Sequence, residues 1–164
     1  AGSIFDRLLP CAVRVMREAS PPPARAAALA CCSLLRASRN AAARVDAFRK
    51  LAREFGKGER WQHRLLYVGG VCEGALQCFS ARLFRVFFLD AVVFCLADRV
   101  PNVRRRACGL LPSVRAALAD PAHSGLLEGV SAAQARLLSD PDPDVSSAAR
   151  LASEGGAGVC LCAG

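Results

Sequence analysis

Strand-forming material is scarce in this sequence. Aromatic residues make up 6% of the chain, runs of aromatic and β-branched residues are few, and alternation at period two is hard to find. A sheet is therefore disfavoured, and the abundant alanine and leucine point to an all-α fold. Histidine is nearly missing, with His63 and His123 the only two. No aspartate or cysteine stands at motif spacing from either, and the carboxylates are scattered, so no acid–base, nucleophilic or metal-assisted site assembles. The chain reads as a non-enzyme with no catalytic residue, cofactor or metal. His63, in the run Trp61-Gln62-His63-Arg64, reads as a surface or rim residue. Long apolar runs are missing too. The most apolar stretch, 83–97, has fifteen residues and contains Arg85 and Asp90, too short and too charged to span a bilayer. A helix buried between neighbours is expected there, and no membrane partner.

What is present is core-forming residues, cysteine and arginine. With 164 residues, 53% of them hydrophobic, the chain can bury a substantial core. The nine cysteines are odd in number, no secretory leader precedes them, and the first seven sit among apolar helical positions, where a thiol behaves as a small hydrophobe. A reducing, cytoplasmic setting is expected. Cys108 belongs to an apolar stripe and lacks the cationic partner an activated thiol needs. Cys160 and Cys162 have no further ligands at zinc spacing. Gly56-Lys57-Gly58 is a helix stop, since a phosphate loop needs a preceding strand and a GK[ST] ending. The net charge of +8 admits an acidic partner, a nucleic acid or a membrane surface. The arginines are spread over every helix, which favours solvated faces and disfavours nucleic acid.

The clearest stretch is 98–119. Asp98 and its turn end one helix, Pro101 suits the first position of the next, and Val103, Ala107, Leu110, Leu111, Val114 and Leu118 form one buried stripe. Pro112 interrupts that helix and should bend it. Earlier helices are expected at 4–18, with Ile4, Leu8, Cys11, Ala12, Val15 and Met16 in register and a kink at Pro10. A second spans 24–37 after a hard stop at Ser20-Pro21-Pro22-Pro23. A third covers 41–55, and a fourth 59–79, where Gly69, Gly70 and Gly74 mark close helix approach. Ser80 caps a fifth helix and Ser124 a seventh, whose buried side holds Leu126, Leu127, Val130, Leu137 and Leu138. Asp142 and Pro143 open an eighth at 144–153. Residues 154–164 carry too much glycine for a helix and are expected to be a disordered tail.

Pro22, Trp61, Pro101 and Pro143 open the second helix of each pair at separations of 39, 40 and 42, and three residues later stand Arg25, Arg64, Arg104 and Ser146. Helix pairs at a period near forty are the signature of HEAT arrays. The expected architecture is a right-handed α-solenoid of about four hairpins over 1–153, at roughly 3–38, 41–79, 80–119 and 124–153.

Four runs narrow the reading: 28–35 followed by Arg36 and Arg39, KLAREFGKGERWQHRLLYV, FFLDAVVFCLADRVPNVRRRACGLLPSVRAAL, and LLSDPDPDV. Over 24–152 the sequence resembles the C-terminal HEAT region of the phosphatase 4 regulatory subunit 4 family, which sits with the scaffold subunits of type 2A-like phosphatases. The resemblance implies a non-catalytic subunit that binds the protein phosphatase 4 catalytic subunit and other proteins. A fragment is also expected, because the sequence lacks an initiator methionine and starts almost inside a helical pattern. In such scaffolds an early arginine of each second helix pairs with an aspartate in an adjoining turn, which gives Asp98, Arg104 and Asp140 the role of a structural ladder. The family's partner-gripping ridge falls on Arg60, Trp61, Arg64, Arg99 and Asn102. Residue type leaves open whether Trp61 meets a partner or plugs a gap between helices, and whether Arg64 is ridge or rung. The alternative function is a basic HEAT adaptor for nucleic acid or transport cargo, which calls for arginines gathered on one continuous face.

Overall fold

The computed structural model describes residues 4–155, with side chains from residue 7 onward. The expected stripe residue Ile4 and residues 156–164 of the expected tail, with Cys160 and Cys162, lie outside the described side chains; Glu154, expected in that tail, is instead the last residue of a helix. The fold is an all-α solenoid, with no strand among the described residues. Its helices are α1 (Ile4–Glu18), α2 (Pro21–Ala37) and α3 (Ala41–Leu51), the last running on into a π-helical turn (Ala52–Gly56). A second long helix is built from α4 (Trp61–Leu66), a π-helical stretch (Tyr67–Cys72) and α5 (Glu73–Cys78). There follow α6 (Ala81–Phe87), α7 (Leu89–Leu96), α8 (Pro101–Ala117), a short 3-10 turn (Pro121–His123), α9 (Ser124–Leu137) and α10 (Pro143–Glu154). One layer runs α2, then the 61–78 helix, α8 and α10, each packed on the one before. In the other layer α7 touches both the 52–56 turn and α9. No helix among the described residues is long and apolar enough to cross a membrane.

Prolines and short polar caps set the helix starts. Pro101 and Pro143 open α8 and α10. Ser80 accepts from the Leu83 N–H, Asn40 from Ala43, and Asp142 from Asp144 and Val145. Two expectations are corrected. Pro21-Pro22-Pro23 is not a stop before α2 but its first turn, because the first N–H groups of a helix have no internal acceptor and a proline lacks nothing there. Ser124 does not cap α9; Asp120 instead accepts from Ala122 and opens the 3-10 turn that leads into it. The 101–117 helix is continuous through Pro112.

One core joins all the helices. Phe48 lies 5.1 Å from both Phe79 and Phe88, edge-on to each, a geometry that aromatic quadrupoles favour. The expected stripe of α8 is wholly buried, and Cys108 joins it. On α9 the buried face is narrower than expected: Val130, Ala133, Gln134 and Leu137 are covered, whereas Leu126 and Leu138 are 46% and 38% exposed. The reason is position, because among the described residues α9 packs chiefly against α7, α8 and α10. Every residue from Tyr67 to Cys72 is buried. Gly70 and Gly74 permit that crowding. A Cβ on Gly70 would come 2.7 Å from Cβ of Ala28, and one on Gly74 would come 3.0 Å from Sγ of Cys32.

Candidate protein-binding groove

Two ion pairs, one buried and one part-buried, tie successive turns together. Arg64 donates from Nε to Oδ2 of Asp98 at 2.5 Å and from Nη2 to Oδ1 at 2.9 Å, while its Nη1 reaches the carbonyls of Gly58 and Glu59 at 2.8 Å each. Arg104 repeats the pattern, with two bonds of 2.8 Å to Asp140 and a third to the carbonyl of Asp98. Each aspartate also accepts from the N–H two residues on, Val100 or Asp142, and so fixes the turn before the next helix. Fork-to-fork pairing of this kind is strong and geometrically exacting. Burial alone pushes the Asp98 carboxyl up, but the Arg64 hydrogen bonds, the Val100 N–H and the charges of Arg64 and Arg99 outweigh it and hold Asp98 below the usual carboxylate range. Asp140 is held low chiefly by its hydrogen bonds to Arg104.

The register of these pairs differs from that read off the sequence. Helices open at Pro21, Trp61, Pro101 and Pro143, so the position three residues in is Ala24, Arg64, Arg104 or Ser146, not Arg25 in the first pair. Ala24 is buried. The acid position, three residues before each opener, is Gly58 ahead of Trp61. A Cβ there would lie 2.2 Å from the carbonyl oxygen of Glu54. The π-helical end of the third helix thus demands glycine where an aspartate would complete a rung. Ser146 donates instead to the carbonyl of Pro143 and accepts from Arg150.

Freed from the rung position, Arg25 takes part in a different contact. Its Nε donates to the carbonyl of Gly69 at 3.0 Å and its Nη2 to Glu73 at 2.8 Å. Arg106 reaches the same two acceptors from the opposite side, at 3.1 and 2.7 Å. Two guanidinium groups from α2 and α8 thereby close over the middle helix. Gly69 makes room, because a Cβ there would sit 2.5 Å from Nε of Arg106.

Above this clamp lies an open groove of about 1120 Å³. Of the residues expected on a ridge, Arg60, Trp61 and Asn102 line it, whereas Arg64 is buried in its rung and Arg99 is exposed outside the lining. Trp61 is 36% exposed, so its ring neither fills the core nor stands clear of the surface. His63 packs 5.0 Å from the Phe55 ring at the groove's edge. Sequence reasoning missed Arg25, Arg105 and Arg106 as lining residues. The repeat count had put Arg25 at the position of Arg64 and Arg104. Counting from the true opener Pro21 puts Arg25 in the register of Arg105, and that was the available signal. Among the described residues no cluster of three or more His, Cys, Asp or Glu side chains could hold a metal. Burial pushes the thiols of Cys31 and Cys108 up to about 11 and those of Cys32 and Cys95 up to about 12, which leaves them inert at neutral pH. The groove presents guanidinium, indole, imidazole and amide groups.

No family model matches the chain, and no solved structure does. Two curated proteins do. Serine/threonine-protein phosphatase 4 regulatory subunit 4 of Mus musculus is 35% identical over 125 residues, and its Homo sapiens counterpart is 32% identical over 125 residues. Each match covers 76% of this chain and 14% of the relative, so the chain spans only a small part of the curated relatives' length.

Proposed function

We propose, from its likeness to phosphatase 4 regulatory subunit 4, that this chain is a segment of a non-catalytic regulatory subunit of a type 4 serine/threonine phosphatase in the cytoplasm. It would bind the catalytic subunit through the solenoid surface, the groove around Trp61 included, and leave the metals and the hydrolysis to that subunit. The observation that carries the reading is the match itself, joined to a groove that offers aromatic and arginine side chains at positions able to concentrate interface energy. The HEAT-like pairing of helices supports it, because an array of this type presents a long surface and no enclosed reaction chamber. Mixing the full chain with purified phosphatase 4 catalytic subunit and following both on a sizing column tests it. Co-elution that weakens in Trp61→Ala supports the reading, and separate elution at micromolar concentrations removes it.

The adaptor reading has one observation in its favour, the gathering of arginines along one groove. Against it, Glu73 neutralises two of them and Glu54 a third, and a duplex or single strand is held by many unpaired cations.

A further inference from the structure

We infer that the groove takes an extended acidic segment of a protein partner, its carboxylates on Arg60 and Arg105 and an apolar side chain against Trp61. The inference deepens the protein-binding reading and rests on it only in taking the groove as a contact surface. Arg60 and Arg105 are exposed, face the same groove from the starts of α4 and α8, and have no carboxylate partner among the described residues. The groove already shows the chemistry it accepts, since Arg25 and Arg106 converge on one carboxylate oxygen of Glu73. Arginine forks match planar carboxylates two bonds at a time, so the two unpaired forks beside that clamp are suited to further carboxylates. In the same lining the Trp61 ring gives an apolar platform with a polar edge, and Asn102 adds an amide able to meet a peptide backbone. With Arg17 held by Glu54 and Arg25 and Arg106 by Glu73, two free cations are too few for a phosphate backbone, whereas they suit a segment with carboxylates a few residues apart.

Trp61 is the only tryptophan, so its emission reports the groove without a label. The probe is an acetylated dodecapeptide of alternating glutamate and leucine, titrated into the full chain beside its glutamine counterpart and a twelve-nucleotide oligothymidylate. A saturable change in Trp61 emission with the glutamate peptide, absent with the glutamine peptide, is expected. Arg60→Ala/Arg105→Ala should weaken it about tenfold with the helical circular dichroism unchanged, since both side chains are exposed. No emission change, an equal response to the glutamine peptide, or native affinity in the double variant overturns the proposal. Tighter binding of oligothymidylate with a steep salt slope overturns it in favour of nucleic acid. A change on raising protein concentration alone overturns it in favour of a second copy. Capture of the catalytic subunit together with a silent Trp61 would sink this inference and leave the phosphatase reading standing; the reverse result would do the opposite.

Discussion

Replacing Asp98 by alanine strips the Arg64 guanidinium of two of its four hydrogen bonds in a site where the two side chains are only 6% and 1% exposed. Removing one partner of a buried ion pair costs about 3–5 kcal/mol, because the survivor keeps its charge without water. Arg64 retains the carbonyls of Gly58 and Glu59, which places the loss near the lower bound, about 3 kcal/mol. The Val100 N–H also loses its acceptor, adding about 1 kcal/mol. Asp98→Ala should therefore cost about 4 kcal/mol, and Asp98→Asn, which keeps the turn acceptor, about 1 kcal/mol less. Removing both charges as Arg64→Met/Asp98→Asn should cost well under the sum of the single changes, since no unpaired charge is left behind. Urea unfolding of the full chain, followed by circular dichroism at the helical minimum, gives all the legs of this cycle. A cost below about 1 kcal/mol for Asp98→Ala, or additivity within about 0.5 kcal/mol, would refute the account of the rung as a desolvated, mutually dependent pair.

Four further outcomes follow from the same contacts. Gly70→Ala drives a methyl to within 2.7 Å of Ala28 and should cost about 1–3 kcal/mol, whereas Gly129→Ala, in open space on α9, should add up to about 1 kcal/mol of stability; paired melting curves with the same sign would contradict this. Gly58→Asp supplies the missing rung acid but collides with the Glu54 carbonyl, so it should destabilise by about 2 kcal/mol or more, and a rise in melting temperature would show the turn to be more pliable than described. Iodoacetamide at pH 8 should label exposed Cys11 and spare Cys31, Cys32, Cys72, Cys95 and Cys108 until the chain unfolds, as mapped by peptide mass spectrometry. On the acid side, the folded carboxyls of Asp98 and Asp140 are held low. The stability they contribute is present above the unfolded value of about 3.9 and is lost as pH falls through the depressed folded values. Asp98→Asn should flatten that acid limb of the stability profile.

The helices were legible wherever a local rule decides them. Pro101 and Pro143 at helix starts, Asp142 and Ser80 as caps, and the stripe from Val103 to Leu118 each depend on a few consecutive residues and their periodicity, and the structure places them as read. Gly70 and Gly74 were legible as close approaches because a glycine inside a helix has no local justification. What failed was register. Three prolines can each open a helix, and sequence alone cannot choose among Pro21, Pro22 and Pro23; choosing Pro22 put Arg25 on a rung when it belongs in the groove. The π-helical stretches were also invisible, since they arise where the 61–78 helix is enclosed by α2, α7, α8 and the 52–56 turn. Arg64 was open between ridge and rung for a similar reason. Its role depends on Asp98, 34 residues away, and no local pattern reports that distance.

The rung and the groove are consequences of one register. Successive positions on a helix are about 100° apart, so in the run Arg104-Arg105-Arg106 the first side chain turns to the inter-repeat aspartate, the second to open groove and the third to the clamp over Gly69. The same spacing puts Trp61 on the groove and Arg64, three residues on, in a buried rung. Each rung fixes the helix that carries the groove residues to the turn that begins the next, and so sets how far Arg60 and Trp61 stand from Asn102 and Arg105. A ladder of paired charges that adds little net stability over an apolar substitute can therefore still define the spacing of the groove.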